Sequence, residues 1–388
     1  MHYDAVVVGG GMVGAAVALG LSQSGFQVAV LEQDVPTEFD VGSTPDLRVS
    51  AISYASVALL KQLGAWDGVE KRRCAPYRRL ETWEWDNARV VFDAAELGLP
   101  ELGFMVENRI LQLALWECLQ RSSNMHLFCP IQLKSMTQTG EDWLLILEDG
   151  QTLSTALVIG ADGANSQVRQ WASIGVSGWQ YRQSCMLISI EMSGSQQDVT
   201  WQQFTPAGPR AFLPLFDHWG TLVWYDTPSR IRQLQAMPLS QLNKEITAAF
   251  PVRLGNVNAI AAGAFPLVRR HAQRYVLSGL ALLGDAAHTI NPLAGQGVNL
   301  GYRDVEALLD VVIRARDSGE TWYSETVLRR YQHRRKIDNM LMQSGMDLFY
   351  GVFSNQLPPL ELARNVALMA AQRAGKLKQA ALKYALGL

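Results

Sequence analysis

The sequence predicts an α/β protein in which a discontinuous parallel-sheet domain carries an inserted, strand-rich domain and ends in a C-terminal helical segment. Two observations support this prediction. An apolar run, a glycine-rich turn and a helical pattern follow one another at the N-terminus, and apolar runs ending in glycine recur at 156–160 and 280–284. The blocks between them are rich in Trp, Thr and Val with the alternation typical of strands.

The alternation of these patterns sets the expected domain boundaries. The chain has 388 residues, of which 48% are hydrophobic and 18% charged, so it is long and apolar enough for two domains. We expect the parallel-sheet domain to comprise residues 1–73, 107–178 and 275–325. The strand-rich domain is expected at 74–106 and 179–274, and the helical segment at 326–388.

The individual elements follow in chain order. Residues 4–8 form an apolar strand, 12–24 have helical spacing that stops at Gly25, and 27–31 form a second strand, which together make a βαβ unit. The later patterns predict a helix at 50–64, strands at 77–92, a helix at 108–121, strands at 127–153, 156–160 and 185–225, a helix at 239–250, a strand at 280–284, a helix at 297–316 and helices from 326 onward.

Composition excludes several classes of protein. The 34 basic and 36 acidic residues give a formal net charge of −2, so nucleic-acid binding, which needs a basic face, is not expected. The 4 cysteines form no C-x-x-C pair and no residues cluster with metal-ligand spacing, so we expect reduced thiols and no metal. Without a signal-peptide pattern or an apolar run of roughly 18 residues, a soluble cytoplasmic protein is predicted.

The first motif is Gly9-x-Gly11-x-x-Gly14 on a strand–turn–helix, followed by Glu32 at the end of the next strand. Gly9 permits the tight turn, Gly11 lets a pyrophosphate approach the backbone, and Gly14 allows close helix–strand packing. The helix start at Met12–Val13 offers N–H groups to the phosphates, and Glu32 can accept a hydrogen bond from a ribose hydroxyl. This Rossmann-like fingerprint predicts a dinucleotide but leaves NAD and FAD both open.

Two further motifs follow buried strands. The strand at 157–160 ends in Asp162-Gly163, and the strand at 280–284 is followed by Asp285, which is placed to bind a polyol such as a ribityl chain. A proline, two glycines and a helix start come next, and a helix N-terminus would stabilise the anionic edge of a reduced flavin. This third motif contains Pro292, Gly295, Gln296, Gly297, Val298 and Asn299.

Taken in order, the three motifs resemble the class A flavoprotein monooxygenases, which have the p-hydroxybenzoate hydroxylase fold. Within that fold, residues 292–304 (Pro-Leu-Ala-Gly-Gln-Gly-Val-Asn-Leu-Gly-Tyr-Arg-Asp) are similar to the signature of the ubiquinone-biosynthesis flavin hydroxylases. The resemblance runs over the whole chain, including residues 204–214. It implies that the parallel-sheet domain binds FAD and that the strand-rich domain binds the substrate.

The resemblance also implies which residues form the site. The environment of the flavin ring would comprise Pro292, Gly295, Gln296 and Gly297, with no acid or base residue assigned. The residues that would bind non-covalent FAD are Gly9, Gly11, Met12, Val13, Gly14, Glu32, Arg48, Asp162, Gly163, Asp285, Gly297, Val298 and Asn299.

The implied activity is hydroxylation of the ring of a 2-polyprenyl-3-methyl-6-methoxy-1,4-benzoquinol through a C4a-hydroperoxyflavin formed with O2. Because the chain has one dinucleotide fingerprint, electrons would come from NAD(P)H bound transiently or from a partner reductase. The alternatives are hydroxylation of an earlier phenol in the same pathway, another flavoenzyme such as a reductase or halogenase, and a non-catalytic flavin-binding subunit of a biosynthetic complex.

Three features admit two interpretations each. The basic amphipathic pattern at 360–386 fits a peripheral contact with the inner face of the membrane, or a helix docked on the core; a lipid-binding partner protein is a further expectation. His288 could tune the flavin or be structural. Four aromatic residues could line a substrate pocket or fill the core, namely Trp201, Phe204, Phe212 and Trp224.

Overall fold

The computed structural model describes residues 1–290, 297–353 and 357–388. The strands are β1 (His2–Val8), β2 (Val28–Leu31), β3 (Val49–Ser53), β4 (Ala75–Tyr77), β5 (Arg79–Trp83), β6 (Arg89–Asp93), β7 (Gly103–Glu107), β8 (Met125–Phe128), β9 (Leu133–Thr139), β10 (Asp142–Leu147), β11 (Thr152–Gly160), β12 (Val176–Met192), β13 (Val199–Gln203), β14 (Arg210–Pro214), β15 (Trp219–Asp226), β16 (Val257–Ala272), β17 (Val276–Leu277), β18 (Leu280–Leu282) and β19 (His288–Thr289). The helices are α1 (Met12–Gln23), α2 (Tyr54–Gln62), α3 (Trp66–Glu70), α4 (Asn108–Gln120), α5 (Gln167–Trp171), α6 (Pro228–Gln235), α7 (Leu239–Ala249), α8 (Gly297–Asp317), α9 (Glu325–Phe353), α10 (Pro358–Gln372) and α11 (Lys376–Leu386).

The first sheet has the strand order β17-β18-β11-β1-β2-β8, with the hairpin of β9 and β10 attached to β11. Its central strands β18, β11, β1, β2 and β8 run parallel. The apolar residues of β1 and β11 are buried on both faces, as the uninterrupted runs at 5–8 and 156–159 predict. The predicted βαβ unit at the N-terminus is confirmed.

The second sheet has the strand order β19-β16-β12-β15-β14-β13-β5-β6, and long antiparallel pairing joins β12 to β16. Because strand side chains alternate, this sheet has two separate apolar faces. One face packs against α6 and α7 and contains Trp201, Phe212 and Trp224. The other packs on the third sheet, whose order is β3-β7-β4.

The predicted helix at 50–64 is wrong in its first part. Residues 49–53 form β3, which pairs antiparallel with β7, and α2 begins only after Ser53. The Ser53 hydroxyl accepts a hydrogen bond from the backbone N–H of Ser56, which makes Ser53 the N-cap of α2. The predicted domain boundaries stay a prediction.

The C-terminal helices dock on the rest of the chain, but the apolar side that the sequence pattern indicates faces outward. Leu362, Val366 and Leu377, which recur at helical spacing, are 55%, 49% and 77% exposed. The side chains that face inward on α10 and α11 include Arg364 and Lys378, which are only 4% and 9% exposed. Across the described residues, no helix has the length and apolar character needed to cross a membrane.

Candidate flavin-binding site and its relatives

The three sequence motifs meet at one edge of the first sheet. Val8 at the end of β1 is in register with Leu31 of β2 and with Gly160 of β11, and Gly160 is in register with Leu282 of β18. Because these strands are parallel, their carboxyl ends lie side by side. The glycine-rich turn, Glu32 and the loops after β11 and β18 therefore share the edge where open α/β sheets bind ligands.

The three glycines of the first motif have different surroundings. Gly9 has φ +99°, and a Cβ there would lie 2.5 Å from the carbonyl oxygen of Ala161. A Cβ at Gly14 would lie 1.9 Å from the carbonyl oxygen of Gly9, so helix and turn are in direct contact. A Cβ at Gly11 would meet nothing within 4 Å. Gly11 thus faces open space, which fits the approach of a phosphate group.

The start of α1 is also suited to an anion. Gly11 is its N-cap, and no side chain among the described residues caps this helix end. The first N–H groups of an α-helix have no partner within the helix and carry partial positive charge. Together with the open space at Gly11, this arrangement could hold the pyrophosphate of a dinucleotide.

Glu32 has a structural contact besides its predicted one. Its carboxylate accepts hydrogen bonds from the backbone N–H groups of Gly10, at 2.7 Å, and Asp34, at 3.0 Å. The carbonyl oxygen of Gly10 accepts in turn from Gln112 Nε2 at 3.0 Å and from Trp116 Nε1 at 2.7 Å. Gln112 and Trp116, both on α4, fix the glycine-rich turn, and the sequence analysis did not predict this role. Their four-residue spacing shows that they share a helix face but not that this face meets the turn.

The second motif is held by its own helix and by an arginine. Asp162 Oδ2 accepts hydrogen bonds from the backbone N–H groups of Gln167 and Val168 at the start of α5, and Gly163 adopts φ +79°. The buried Arg169 donates to the carbonyl oxygens of Ala164, at 3.0 Å, and Ala286, at 2.8 Å. It therefore ties the loop after β11 to the loop after β18.

Asp285 lies at this edge, in the loop after β18. Its side chain is exposed, although Gly284 and Ala286 on either side are buried. Desolvation by the surrounding protein raises the pKa of Asp285, while the nearby His288 and Arg48 side chains oppose this shift. The structure thus places Arg48 near Asp285, whose carboxyl group is exposed.

The turn that carries Asp285 is fixed from below by a buried charge network. Asp304 of α8 accepts from the backbone N–H of Gly284 at 3.0 Å, and its Oδ2 lies 2.5 Å from His288 Nε2. Its other oxygen accepts from Arg335 Nε at 2.7 Å. Although burial alone would raise the pKa of Asp304, His288 and Arg335 lower it to about 2. His288 is therefore a buried partner of Asp304, which favours its structural interpretation.

The third motif lies only partly within the described residues. Pro292, Gly295 and Gln296 lie outside them, so their predicted place beside the flavin ring stays a prediction. Gly297 and Val298 begin α8 and are half-buried. The side chain of Asn299 is buried and bonds to the backbone of β3, donating to Ala51 O at 2.8 Å and accepting from the N–H of Ser53 at 2.9 Å.

A small pocket lies beside β3, between the second and third sheets. It is mostly apolar, with two polar side chains on β13, and is lined by Ala51, Tyr77, Leu80, Met105, Thr200, Trp201, Gln202, Ala211 and Leu213. Of the four aromatic residues weighed from the sequence, two pack in the core: Phe212 stacks on Trp201, and Trp224 packs against Phe250. Phe204 instead stacks on Phe353 of α9 and lines a separate cleft.

Comparison with known proteins identifies the family. A family model described as "FAD binding domain" matches residues 2–340. The chain is 63% identical to "3-demethoxyubiquinol 3-hydroxylase" of Escherichia coli (strain K12) over 385 residues, which cover 99% of this chain and 98% of the relative. The chain belongs to the ubiquinone-biosynthesis flavin hydroxylases. The resemblance stated from the sequence motifs is thereby confirmed.

More distant relatives agree with this assignment. "Ubiquinone hydroxylase UbiL" of Rhodospirillum rubrum is 34% identical, with 99% of this chain and 89% of the relative covered. Among solved structures, p-nitrophenol 4-monooxygenase PnpA from Pseudomonas putida DLL-E4 has a TM-score of 0.81 at 20% identity, covering 98% of this chain and 96% of that one. At this identity the likeness shows the fold alone, and it confirms the predicted fold class.

Proposed function

We propose that this protein is an FAD-dependent monooxygenase that hydroxylates the ring of a 2-polyprenyl-3-methyl-6-methoxy-1,4-benzoquinol in ubiquinone biosynthesis. The observation that carries the proposal is the convergence of Gly11, Glu32 and Asp285 on one sheet edge, in a chain 63% identical to a 3-demethoxyubiquinol 3-hydroxylase. The fold alone does not specify chemistry, so the proposal is supported by the residues at this edge and by this relative together.

The residues at the sheet edge fit FAD. Gly11 and the start of α1 would hold the pyrophosphate, Glu32 would accept from the adenosine ribose, and Asp285 would bind the ribityl chain. Bound FAD supplies the activation of O2, so the protein needs no nucleophile or metal of its own. The other residues proposed to contact FAD are Gly9, Met12, Val13, Gly14, Arg48, Asp162, Gly163, Gly297, Val298 and Asn299.

The quinol ring would bind in the pocket beside β3. This pocket adjoins Ala51, whose carbonyl oxygen accepts from Asn299 at the start of α8, so it lies next to the predicted flavin environment. Its apolar lining would exclude water, and burial raises the pKa of Tyr77, which keeps that hydroxyl protonated. Tyr77 and Gln202 are the candidates to orient the ring hydroxyls.

The balance of the reaction requires an electron donor. One atom of O2 enters the ring as a hydroxyl group and the other leaves as water, which consumes two electrons and two protons. We propose NAD(P)H, or a partner reductase, as the source of the electrons. A polyprenyl tail strongly favours the bilayer over water, so the enzyme would meet its substrate at the inner face of the membrane or on a lipid-binding partner.

Quinone analysis of cells that lack the protein tests this function. We expect them to accumulate a methylated, methoxylated quinone without one ring hydroxyl. Wild-type protein should restore the normal profile, as should the control Asp86→Ala, which alters an exposed carboxylate remote from the sheet edge. Asp285→Ala should not restore it. Accumulation of an earlier, unmethoxylated phenol would move the enzyme to another step, and a normal quinone profile would contradict the proposal.

A further inference from the structure

The outer side of α9 is apolar over its last half. Between residues 337 and 352 the charged side chains are Asp338 and Asp347, which are each 22% exposed and paired with arginines. Leu341 and Leu348 are 62% and 66% exposed. The exposed residues in this stretch are Ile337, Met340, Leu341, Ser344, Gly345, Leu348, Phe349, Gly351 and Val352. A surface helix normally turns such a stripe toward the core.

The outer side of α10 continues this surface. Arg364 of α10 donates a hydrogen bond to the carbonyl oxygen of Val352, so the two helices adjoin. Exposed residues between 357 and 371 again include no charge, and they are Leu357, Pro358, Pro359, Leu360, Leu362, Ala363, Val366, Ala367, Ala370 and Ala371. We call the exposed residues of 337–352 and 357–371 the apolar face.

The inner side of α9 is polar over the same stretch, which fixes the orientation of this helix. On α9, the residues Arg335, Asn339 and Gln343 recur every four positions and are at most 5% exposed. Arg335 bonds to Asp304, and Gln343 Oε1 accepts a hydrogen bond from His271 Nδ1 at 2.9 Å. Turning α9 over would bury its apolar stripe but leave these groups without partners. The apolar face therefore points outward because the polar side of α9 has its hydrogen-bond partners inside the protein.

On the inner sides of α10 and α11, charged side chains lie beside buried leucines. Arg364 pairs with the buried Glu84, donating from Nε at 2.7 Å, and Lys378 Nζ lies 2.7 Å from a carboxylate oxygen of Glu96. The Arg364–Glu84 pair is buried on both sides and would be costly to break, since an unpaired buried charge loses its hydration without compensation. The inward charges thus keep Leu362, Val366 and Leu377 outside.

Basic side chains border the apolar face at its C-terminal end. Arg373, Lys376 and Lys383 are exposed, and within the described residues none of them has an ion-pair partner. Tyr384, next to Lys383, donates to Asp338 of α9 at 2.7 Å, which places α11 beside the start of the apolar face. An apolar surface with a cationic border matches the interface of an anionic bilayer.

An aromatic cleft reaches the apolar face. Its walls include Phe204, which directly follows β13, and Phe349 and Phe353 of α9. The ring centroids of Phe204 and Phe353 are 4.0 Å apart. Phe349 is itself 50% exposed and belongs to the apolar face. The cleft therefore opens beside the apolar face.

We propose that the apolar face lies on the surface of an anionic membrane, with Arg373, Lys376 and Lys383 against the lipid headgroups. This membrane contact does not rest on the proposed function. The buried polar side of α9 and α10 anchors the helices to the protein, so the face acts as a fixed platform and not as a flexible tail.

Flotation of the holoenzyme with lipid vesicles tests the proposal. Wild type should float with vesicles of phosphatidylcholine and phosphatidylglycerol, and less with phosphatidylcholine alone. Leu348→Glu combined with Val366→Glu should weaken vesicle binding about a hundredfold, because each change removes an apolar side chain from the bilayer. Lys376→Gln and Lys383→Gln should each weaken it about fivefold, and less in high salt.

The controls are matched in exposure and chemistry. Val252→Glu changes a valine that is 98% exposed outside the apolar face, and Lys244→Gln changes an exposed lysine of α7; both should bind vesicles like wild type. FAD content and turnover of a water-soluble short-chain quinol should not change in any variant.

Two results would overturn the proposal: wild-type protein that does not float, and a wild-type dimer that the Leu348→Glu, Val366→Glu variant dissociates, since a second copy would then cover the face. Lack of flotation with normal turnover of the short-chain quinol would reject the membrane contact alone. Flotation as expected, without hydroxylation of any quinol, would support the contact and reject the proposed function.

Discussion

Replacing Gly11 by alanine tests whether the glycine-rich turn faces a bound pyrophosphate. Its φ of −67° and ψ of −174° suit any residue, and a Cβ there meets no atom within 4 Å. Alanine is a poorer helix N-cap than glycine but loses less backbone entropy on folding, and each effect is within about 1 kcal/mol. We therefore expect the free energy of unfolding of the apoprotein to change by less than about 1 kcal/mol.

FAD binding by the Gly11→Ala variant should respond differently. The added methyl group would occupy space that the phosphates need, and such overpacking costs about 1–3 kcal/mol, or about 5- to 150-fold in affinity. Gly14→Ala is the matched contrast, because its Cβ would lie 1.9 Å from the Gly9 carbonyl oxygen. The backbone would have to move, so this variant should lose about 3 kcal/mol or more of stability even without FAD.

Two assays separate these outcomes. Denaturant unfolding of both apoproteins measures stability, and titration with FAD followed by flavin fluorescence measures affinity. Wild-type FAD affinity in the Gly11→Ala variant would refute the placement of the pyrophosphate. If Gly11→Ala and Gly14→Ala lost equal stability, Gly11 would not face open space while Gly14 is in close contact with the turn.

Three further predictions concern charged groups. Asp285→Ala should lose a charge-assisted hydrogen bond worth about 1.5–3 kcal/mol, so FAD retention after dilution should fall about 10- to 100-fold. Because the pKa of Asp304 is lowered from 3.8 to about 2 in the folded chain, its ionised form stabilises the fold above about pH 4. That contribution, about 2 kcal/mol, should disappear as the pH falls toward 2, as denaturant midpoints against pH would show. Lys378→Ala should cost about 1.5–3 kcal/mol of unfolding free energy, because its buried ammonium donates to the carbonyl oxygen of Val91 and to the carboxylate of Glu96.

Each of these predictions has its own contradicting result. Asp86→Ala should keep wild-type FAD retention, so an equal loss there would show that the effect of Asp285→Ala is indirect. An Asp304→Asn variant whose stability falls between pH 4 and pH 2 as steeply as that of wild type would exclude Asp304 as the titrating group. If the exposed Lys376→Ala proved as destabilising as Lys378→Ala, the inward orientation assigned to Lys378 would be wrong.

Local sequence patterns predicted the parallel sheet and the edge where the motifs meet. Each motif consists of an apolar strand followed directly by glycine or aspartate, so the end of the strand fixes the position of the motif. Once the strands run parallel, Gly9, Asp162 and Asp285 must follow at the same edge. The parallel pairing of the strands brings these loops together, whatever contacts their side chains make.

Interactions between distant segments were not predictable in this way. Residues 49–53 form a strand because β7 pairs with them, and nothing in Val-Ser-Ala-Ile-Ser itself decides between strand and helix. The inverted C-terminal helices depend on partners such as Glu84 and Glu96, some 280 residues away from Arg364 and Lys378. Helical periodicity shows that a helix has an apolar side but not which side meets the protein.

Oxygen-18 labelling tests the central claim most directly. Purified holoenzyme, an electron donor and a demethoxylated quinol would be incubated under labelled O2 in unlabelled water, and the product examined by mass spectrometry. A flavin monooxygenase should place one labelled oxygen atom in the new ring hydroxyl of each product molecule. An unlabelled hydroxyl group, or label that comes from water, would contradict the assignment of this protein as an O2-dependent hydroxylase.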